Sequence, residues 1–131
     1  MAGLLNRLLG NKGERRAAKF LRSRGFRILA RQSSGRLDEI DLIALDGETI
    51  VFIEVKPRRS NVAGHPVEAI TPTKQKKLTA LALAYLKRHG LLEHRARFDV
   101  VTIIWPDGSR QPEIEHYENA FEPTGFGQMF S

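Results

Sequence analysis

The chain predicts an α/β fold with a mixed central sheet of about five strands flanked by helices. Three observations carry this expectation. Apolar spacing alternates between helical and strand periods in the order α-β-β-β-α-β-β. The stretch Thr49-Ile50-Val51-Phe52-Ile53-Glu54-Val55 is nearly continuous apolar sequence, so it reads as a central strand covered on both faces. A single helical segment separates the third and fourth strands, and such a crossover allows them to run parallel. At 131 residues the chain is expected to form one domain spanning 1–131, with 1–11 as an N-terminal extension and 122–131 as a C-terminal tail.

The first helix is expected over about Lys12 to Arg24, closed by Gly25. Its inward stripe is Ala17, Ala18 and Leu21, and Glu14 lies on that stripe by helical spacing. An acid on an inward stripe, within an otherwise basic segment, is a site candidate; a first-turn glutamate favoured by the helix dipole is the plain alternative. Arg27 to Arg31 reads as a short strand, and Gln32 to Leu37 as a polar loop able to lie along a nucleic-acid backbone. Two strands joined by an Asp46-Gly47 turn follow, with the second ending at Lys56 because Pro57 removes a ladder donor. Arg58 to Val67 is a longer loop. Thr71-Pro72 opens the second helix with a cap and an N1 proline, and Leu78, Leu81, Ala82, Tyr85 and Leu86 form its buried stripe. Arg97 to Trp105 is an apolar strand, and Pro112 to Tyr117 an edge strand.

The hairpin carries carboxylates where a core strand should have none. Asp41 on the first strand would lie opposite Phe52, with Glu54 as its diagonal neighbour on the same face and Lys56 two residues on. A surface hairpin bearing an ion pair would explain the charges but not the continuous apolar run around Glu54, since an unpaired buried carboxylate is costly. Two carboxylates and an ammonium on one sheet face can hold a divalent cation and a water beside it, and hard oxygen donors suit Mg²⁺ or Mn²⁺.

Composition narrows the classes. There is no cysteine, hence no disulfide framework and no thiolate metal site. The histidines, His65, His89, His94 and His116, lack zinc-ligand spacing and read as solvated or hydrogen-bonded surface residues. No stretch approaches a membrane span, and Asn6 and Arg7 interrupt the apolar start, so no membrane partner and a cytoplasmic location are expected. The net charge of +6 is unevenly spread: residues 1–37 hold ten Lys or Arg against Glu14 alone, whereas 99–131 hold Arg110 against six acids. A basic half suggests a polyanion as partner. Lys74, Lys76 and Lys77 crowd the first turns of the second helix, where the dipole disfavours them, as phosphate nearby would explain.

Taken in order, Gly13-Glu14, Glu39-Ile40-Asp41-Leu42-Ile43-Ala44, Phe52-Ile53-Glu54-Val55-Lys56 and Arg97-Phe98-Asp99-Val100-Val101 resemble the YraN family of uncharacterised bacterial endonuclease-like proteins. That family has a PD-(D/E)XK nuclease core and is similar to archaeal Holliday-junction resolvases. The likeness runs from about Gly13 to Phe121. The chain departs from it at Ile40, where the nuclease name implies proline, and at Asp38, where family members usually carry glycine. The resemblance implies a restriction-endonuclease-like core and metal-dependent phosphodiester hydrolysis. Asp41, Glu54 and the Val55 carbonyl would then ligate Mg²⁺ or Mn²⁺. Lys56 would orient the attacking water or stabilise phosphorane charge, and Glu14 would complete the metal shell or act through water. Arg58, Arg59, Lys74 and Lys77 would grip flanking phosphates. DNA is favoured over RNA as partner, branched DNA among its forms, and a homodimer is one arrangement left open. A nucleic-acid-binding module that keeps the fold without cleaving is the alternative. A protein-interaction adaptor is the third, resting only on the acidic pattern from Glu113 to Glu122.

Overall fold

In the computed structural model of this protein, residues 2–31, 40–58, 70–106 and 110–123 are described, with side chains from Lys12 onward in the first helix. The elements run α1 (Ala2–Ser23), β1 (Arg27–Arg31), β2 (Leu42–Asp46), β3 (Thr49–Arg58), α2 (Pro72–Arg88), β4 (Ala96–Ile104) and β5 (Glu113–Phe121). The strands form one sheet in the order β1-β2-β3-β4-β5. β3 and β4 are parallel across the α2 crossover, and every other neighbour pair is antiparallel. This five-stranded mixed sheet with its two helices is a restriction-endonuclease-like core.

Strand alternation divides the core in two. Val51, Ile53 and Val55 of β3 pack with Leu42, Ala44, Val101 and Ile103 under Ala17, Ala18 and Leu21 of α1. Ile50 and Phe52 face the other way, packing with Ile43, Phe98 and Val100 under Leu78, Ala82 and Leu86 of α2. β3 is therefore covered on both sides, as its unbroken apolar run requires. α2 begins as its sequence dictates: the Thr71 hydroxyl accepts the Lys74 N–H at 3.1 Å, with Pro72 at N1.

Four boundaries differ from expectation. α1 starts at Ala2, not Lys12, so residues 2–11 continue the helix; Gly10 and Asn11 are poor helix formers but not breakers, costing about 1 kcal/mol or less each. The hairpin loop is Gly47-Glu48, not Asp46-Gly47, and Asp46 pairs with Thr49. The tight loop needs positive φ at its first position, and Gly47 supplies it at +62°. β3 runs through Pro57 to Arg58. The Ile50 N–H donates to the Arg95 carbonyl on the β4 side, so even-numbered β3 residues bond toward β4. Pro57 instead faces the β2 side beyond the end of β2, where no ladder bond is lost. β5 extends to Phe121 because its chain bulges between the Val100–Tyr117 and Phe98–Phe121 pairs, with Asn119 at φ +51°.

A buried charge cluster fastens that bulge. Asp99 is fully buried and accepts from Arg97 Nε at 2.9 Å, His116 Nε2 at 2.7 Å and the Asn119 N–H at 3.1 Å. Arg97 also reaches Asp46 at 2.9 Å. His116 is thus largely buried and bonded to Asp99, contrary to the expected surface role. Burial alone would raise the Asp99 pKa; the bonds from His116, Arg97 and Asn119 outweigh it and hold the carboxyl below its ordinary value. A group depressed in this way stabilises the fold above the unfolded carboxyl pKa and loses that contribution as pH falls. Asp99→Asn should therefore cost about 3 kcal/mol in urea unfolding at pH 7, because it strips the charge that pairs Arg97. The difference from wild type should shrink at pH 2–3; an equal difference at both pH values would refute the assignment.

Candidate active site

The turn at Gly47 sets the site. It moves the β2–β3 register two residues from the expected pairing, and the ladder ends at Leu42 opposite Ile53. Carried one step further, Asp41 stands opposite Glu54 rather than Phe52. A shift of two preserves the face, so Asp41 stays on the face of Phe52 and Glu54, as expected, and comes closer to its partner. Asp41 Oδ2 accepts the Val55 N–H at 2.8 Å, taking over the bond that β2 no longer supplies. The Asp41 and Glu54 carboxyl groups lie close enough for a hydrogen bond between them to raise the Asp41 pKa. In an extended strand the N–H and C=O of one residue point the same way, so the Val55 carbonyl also faces this gap.

Glu14 approaches from the other face. It is buried on the inward stripe of α1, with its carboxylate 3.8 Å from Arg31 Nε. Burial raises its pKa to about 7 against the opposing pull of Arg31. Glu14 is also near enough for its charge to raise the pKa of Asp41. Asp41 stands well above the usual carboxylate range, first through burial, then through the hydrogen bond and charge of Glu54. The three acids that sequence reasoning singled out therefore form one electrostatic unit at the C-terminal end of β3.

The expected cations distribute unevenly. Lys56 is half-buried on the Glu54 face, and no carboxylate among the described residues forms an ion pair with it. Lys74, expected to grip flanking phosphate, has its ammonium 3.6 Å from Glu54, inside the carboxylate cluster. Lys77 is exposed on the same helix and Arg58 is half-exposed at the end of β3. Arg59 and Asp38 lie outside the described residues. The loops at 32–37 and 59–67 fall there too.

Sequence reasoning missed two features. Asp99 looked like part of an apolar strand; its partners are 17 and 20 residues away, at His116 and Asn119. It pairs with Ile53, two residues or roughly 7 Å along the strand before Val55, and shares the α1 side of the sheet with Val101 and Ile103, the face away from Glu54. Thr102 is fully buried beside Lys56 and its hydroxyl has no hydrogen-bond partner among the described residues. Neither carries a local signal.

Asp41 and Glu54 fit a hard divalent cation: they are oxygen donors in contact, and they share a hydrogen bond at the expense of a raised pKa. Among the described residues no three Asp, Glu or His side chains form a ligand group by themselves. A cation would thus rest on this pair, the Val55 carbonyl and water. The raised Asp41 pKa means that the folded chain binds a proton more tightly than the unfolded chain. Stability of the metal-free protein is then greatest below about pH 4 for this group and falls as pH rises toward the folded value. Asp41→Asn keeps an acceptor for the Val55 N–H and removes the charge. It should raise the metal-free Tm at pH 7–8, by about 4 °C for each kcal/mol gained. The gain should vanish near pH 4, leaving a slope between pH 4 and 7 from Glu14. A mutant less stable than wild type at pH 8 would contradict the geometry.

The chain is similar in sequence to a family of known proteins. A family model described as uncharacterised protein family UPF0102 matches residues 13–103. A UPF0102 protein of Rhodopirellula baltica is 44% identical over 128 residues, covering 95% of this chain and 77% of the relative. One of Geobacter sulfurreducens is 47% identical over 119 residues, covering 89% and 91%. One of Chlorobium phaeobacteroides is 48% identical over 117 residues, covering 86% and 93%. The matched span runs from the turn of α1 that carries Glu14 to the buried end of β4, and so takes in Asp41, Glu54 and Lys56: the chain belongs to the UPF0102, or YraN, family.

Proposed function

We propose that this protein is a metal-dependent endonuclease that hydrolyses phosphodiester bonds in DNA, with branched DNA as the favoured substrate. The observation that carries the reading is the Asp41–Glu54 carboxyl pair, in hydrogen-bond contact at the end of a buried strand, with Lys56 on the same face. A fold does not need two acids in contact there, and both raise the cost of burial. Mg²⁺ or Mn²⁺ bound between them would polarise the scissile phosphate and activate a water. Glu14 lies on the opposite side of that gap and can orient water through its second oxygen, while Arg31 favours its ionised form. Lys56 offers an ammonium to the charge that develops on the phosphorane. Arg58, Arg59 and Lys77 supply cationic contacts to flanking phosphates, which position the substrate without reading its sequence. Lys74, paired with Glu54, acts within the carboxylate cluster instead of on the flank.

The second reading is a nucleic-acid-binding module that does not cleave. One observation favours it: the Lys74 ammonium already stands by Glu54, where a cation would be placed. Wild-type protein incubated with Mn²⁺ and a panel of junctions, flaps, linear duplexes, single strands and RNA separates the two. The enzyme reading expects cleavage of branched DNA, and loss of about 100-fold or more in Lys56→Met with affinity nearly kept. Equal cleavage by both proteins would point to another site or a contaminant. Mg²⁺ or Mn²⁺ should also raise the Tm of wild type and not that of Asp41→Asn; an undiminished rise in the mutant would place the cation elsewhere.

Binding has its own signature. Affinity should fall steeply between 50 and 200 mM salt and vary little with base sequence. Neutralising Arg58 and Arg59 together should lower the salt slope by about 2 if each releases one counterion. Affinity indifferent to salt would remove phosphate contacts from the account.

A further inference from the structure

We infer that Thr102 is a positioning residue for Lys56, its buried hydroxyl forming a hydrogen-bonded pair with the Lys56 ammonium in the working site; the catalytic consequence rests on the nuclease reading of Lys56. Thr102 lies directly beside Lys56 in the parallel β3–β4 register. Its neighbours along β4 on the same face, Phe98 and Val100, are apolar core. Valine would match threonine in shape there and bury no polar atom. The chain instead buries a hydroxyl completely, and that hydroxyl has no hydrogen-bond partner among the described residues. A buried polar group left unpaired is a cost that folding alone does not explain.

The groups around it identify the partner. Across the sheet Thr102 faces Glu115, whose carboxylate takes the Tyr117 hydroxyl and makes no hydrogen bond to Thr102 in this structure. Glu54 is engaged by Asp41 and Lys74. Arg58 lies two residues beyond Lys56 on β3. Lys56 has three donors, no ion pair among the described residues and a flexible stem. Adjacent strands are about 4.8 Å apart, so a rotamer change can bring its Nζ to the Thr102 oxygen. One N–H is then spent on the hydroxyl and two remain for water or phosphate. A long, mobile side chain becomes a fixed one close above the sheet.

The test compares wild type, Thr102→Val, Thr102→Ser and Lys56→Met. In Mn²⁺-loaded protein, acetylation of Lys56 by an amine-directed reagent, read by mass spectrometry, should be several-fold faster in Thr102→Val and near wild type in Thr102→Ser. The Tm of Thr102→Val should equal or exceed that of wild type; a lower Tm would show that the hydroxyl already has a structural partner and would overturn the inference. With branched DNA and Mn²⁺, single-turnover cleavage by Thr102→Val should fall about tenfold at unchanged Kd, and the same change should have no effect in the Lys56→Met background. Cleavage and acetylation both indifferent to Thr102→Val would overturn the pair while leaving the nuclease reading intact. Thr102-dependent acetylation without cleavage by wild type would do the reverse.

Discussion

Asp41 accepts the Val55 N–H one step past the last rung of the β2–β3 ladder, and most of the site follows from that bond. It ends β2, because a side chain now serves the donor that another strand residue would have served. It holds the Asp41 carboxyl against Glu54 instead of letting the two repel into solvent. Among the described residues no strand pairs with β3 on that side from Val55 onward, and Pro57 therefore sits in the strand without losing a ladder bond there. The bond in turn depends on Gly47, whose positive φ chooses the register.

The sheet carries two buried acid clusters under opposite electrostatic regimes. At Asp99 the charge is fully met by Arg97, His116 and a backbone N–H, and the carboxyl pKa is lowered. At Asp41 the acid meets another acid, with only one N–H in its favour, and the pKa is raised. The first arrangement holds a bulged edge strand in place. The second is poised to bind positive charge, and its cost is spread over the packed faces of β3. Strain of this kind persists because the surrounding core over-determines the strand.

Cations are layered around the acidic end. Arg31 meets Glu14 on the α1 side, and Lys74 meets Glu54 on the α2 side. Lys12 and Arg16 lie over the Trp105 ring, at 4.4 and 6.0 Å from its centroid, near the end of β4. Basic side chains from α1, β1 and α2 thus lie around a small acidic centre.

Much of this was legible in the residues themselves. The Thr71-Pro72 cap, the Gly25 stop, the stripe of α1 with Glu14 on it, and the covered strand around Glu54 are local patterns, because capping, periodicity and φ preference act within a few residues. Apolar spacing also placed Asp41, Glu54 and Lys56 on one face, since alternation survives a two-residue slip in register. The slip itself was decided at Gly47 by backbone geometry, which dipeptide identity only partly announces. Tertiary structure alone decided that Lys74 turns in to Glu54, that Asp99 finds His116 and Asn119, and that the Thr102 hydroxyl is buried beside Lys56. Those relations join residues far apart in the chain. Their energy comes from desolvation and from the approach of charges across the sheet, and neither exists until the strands have paired.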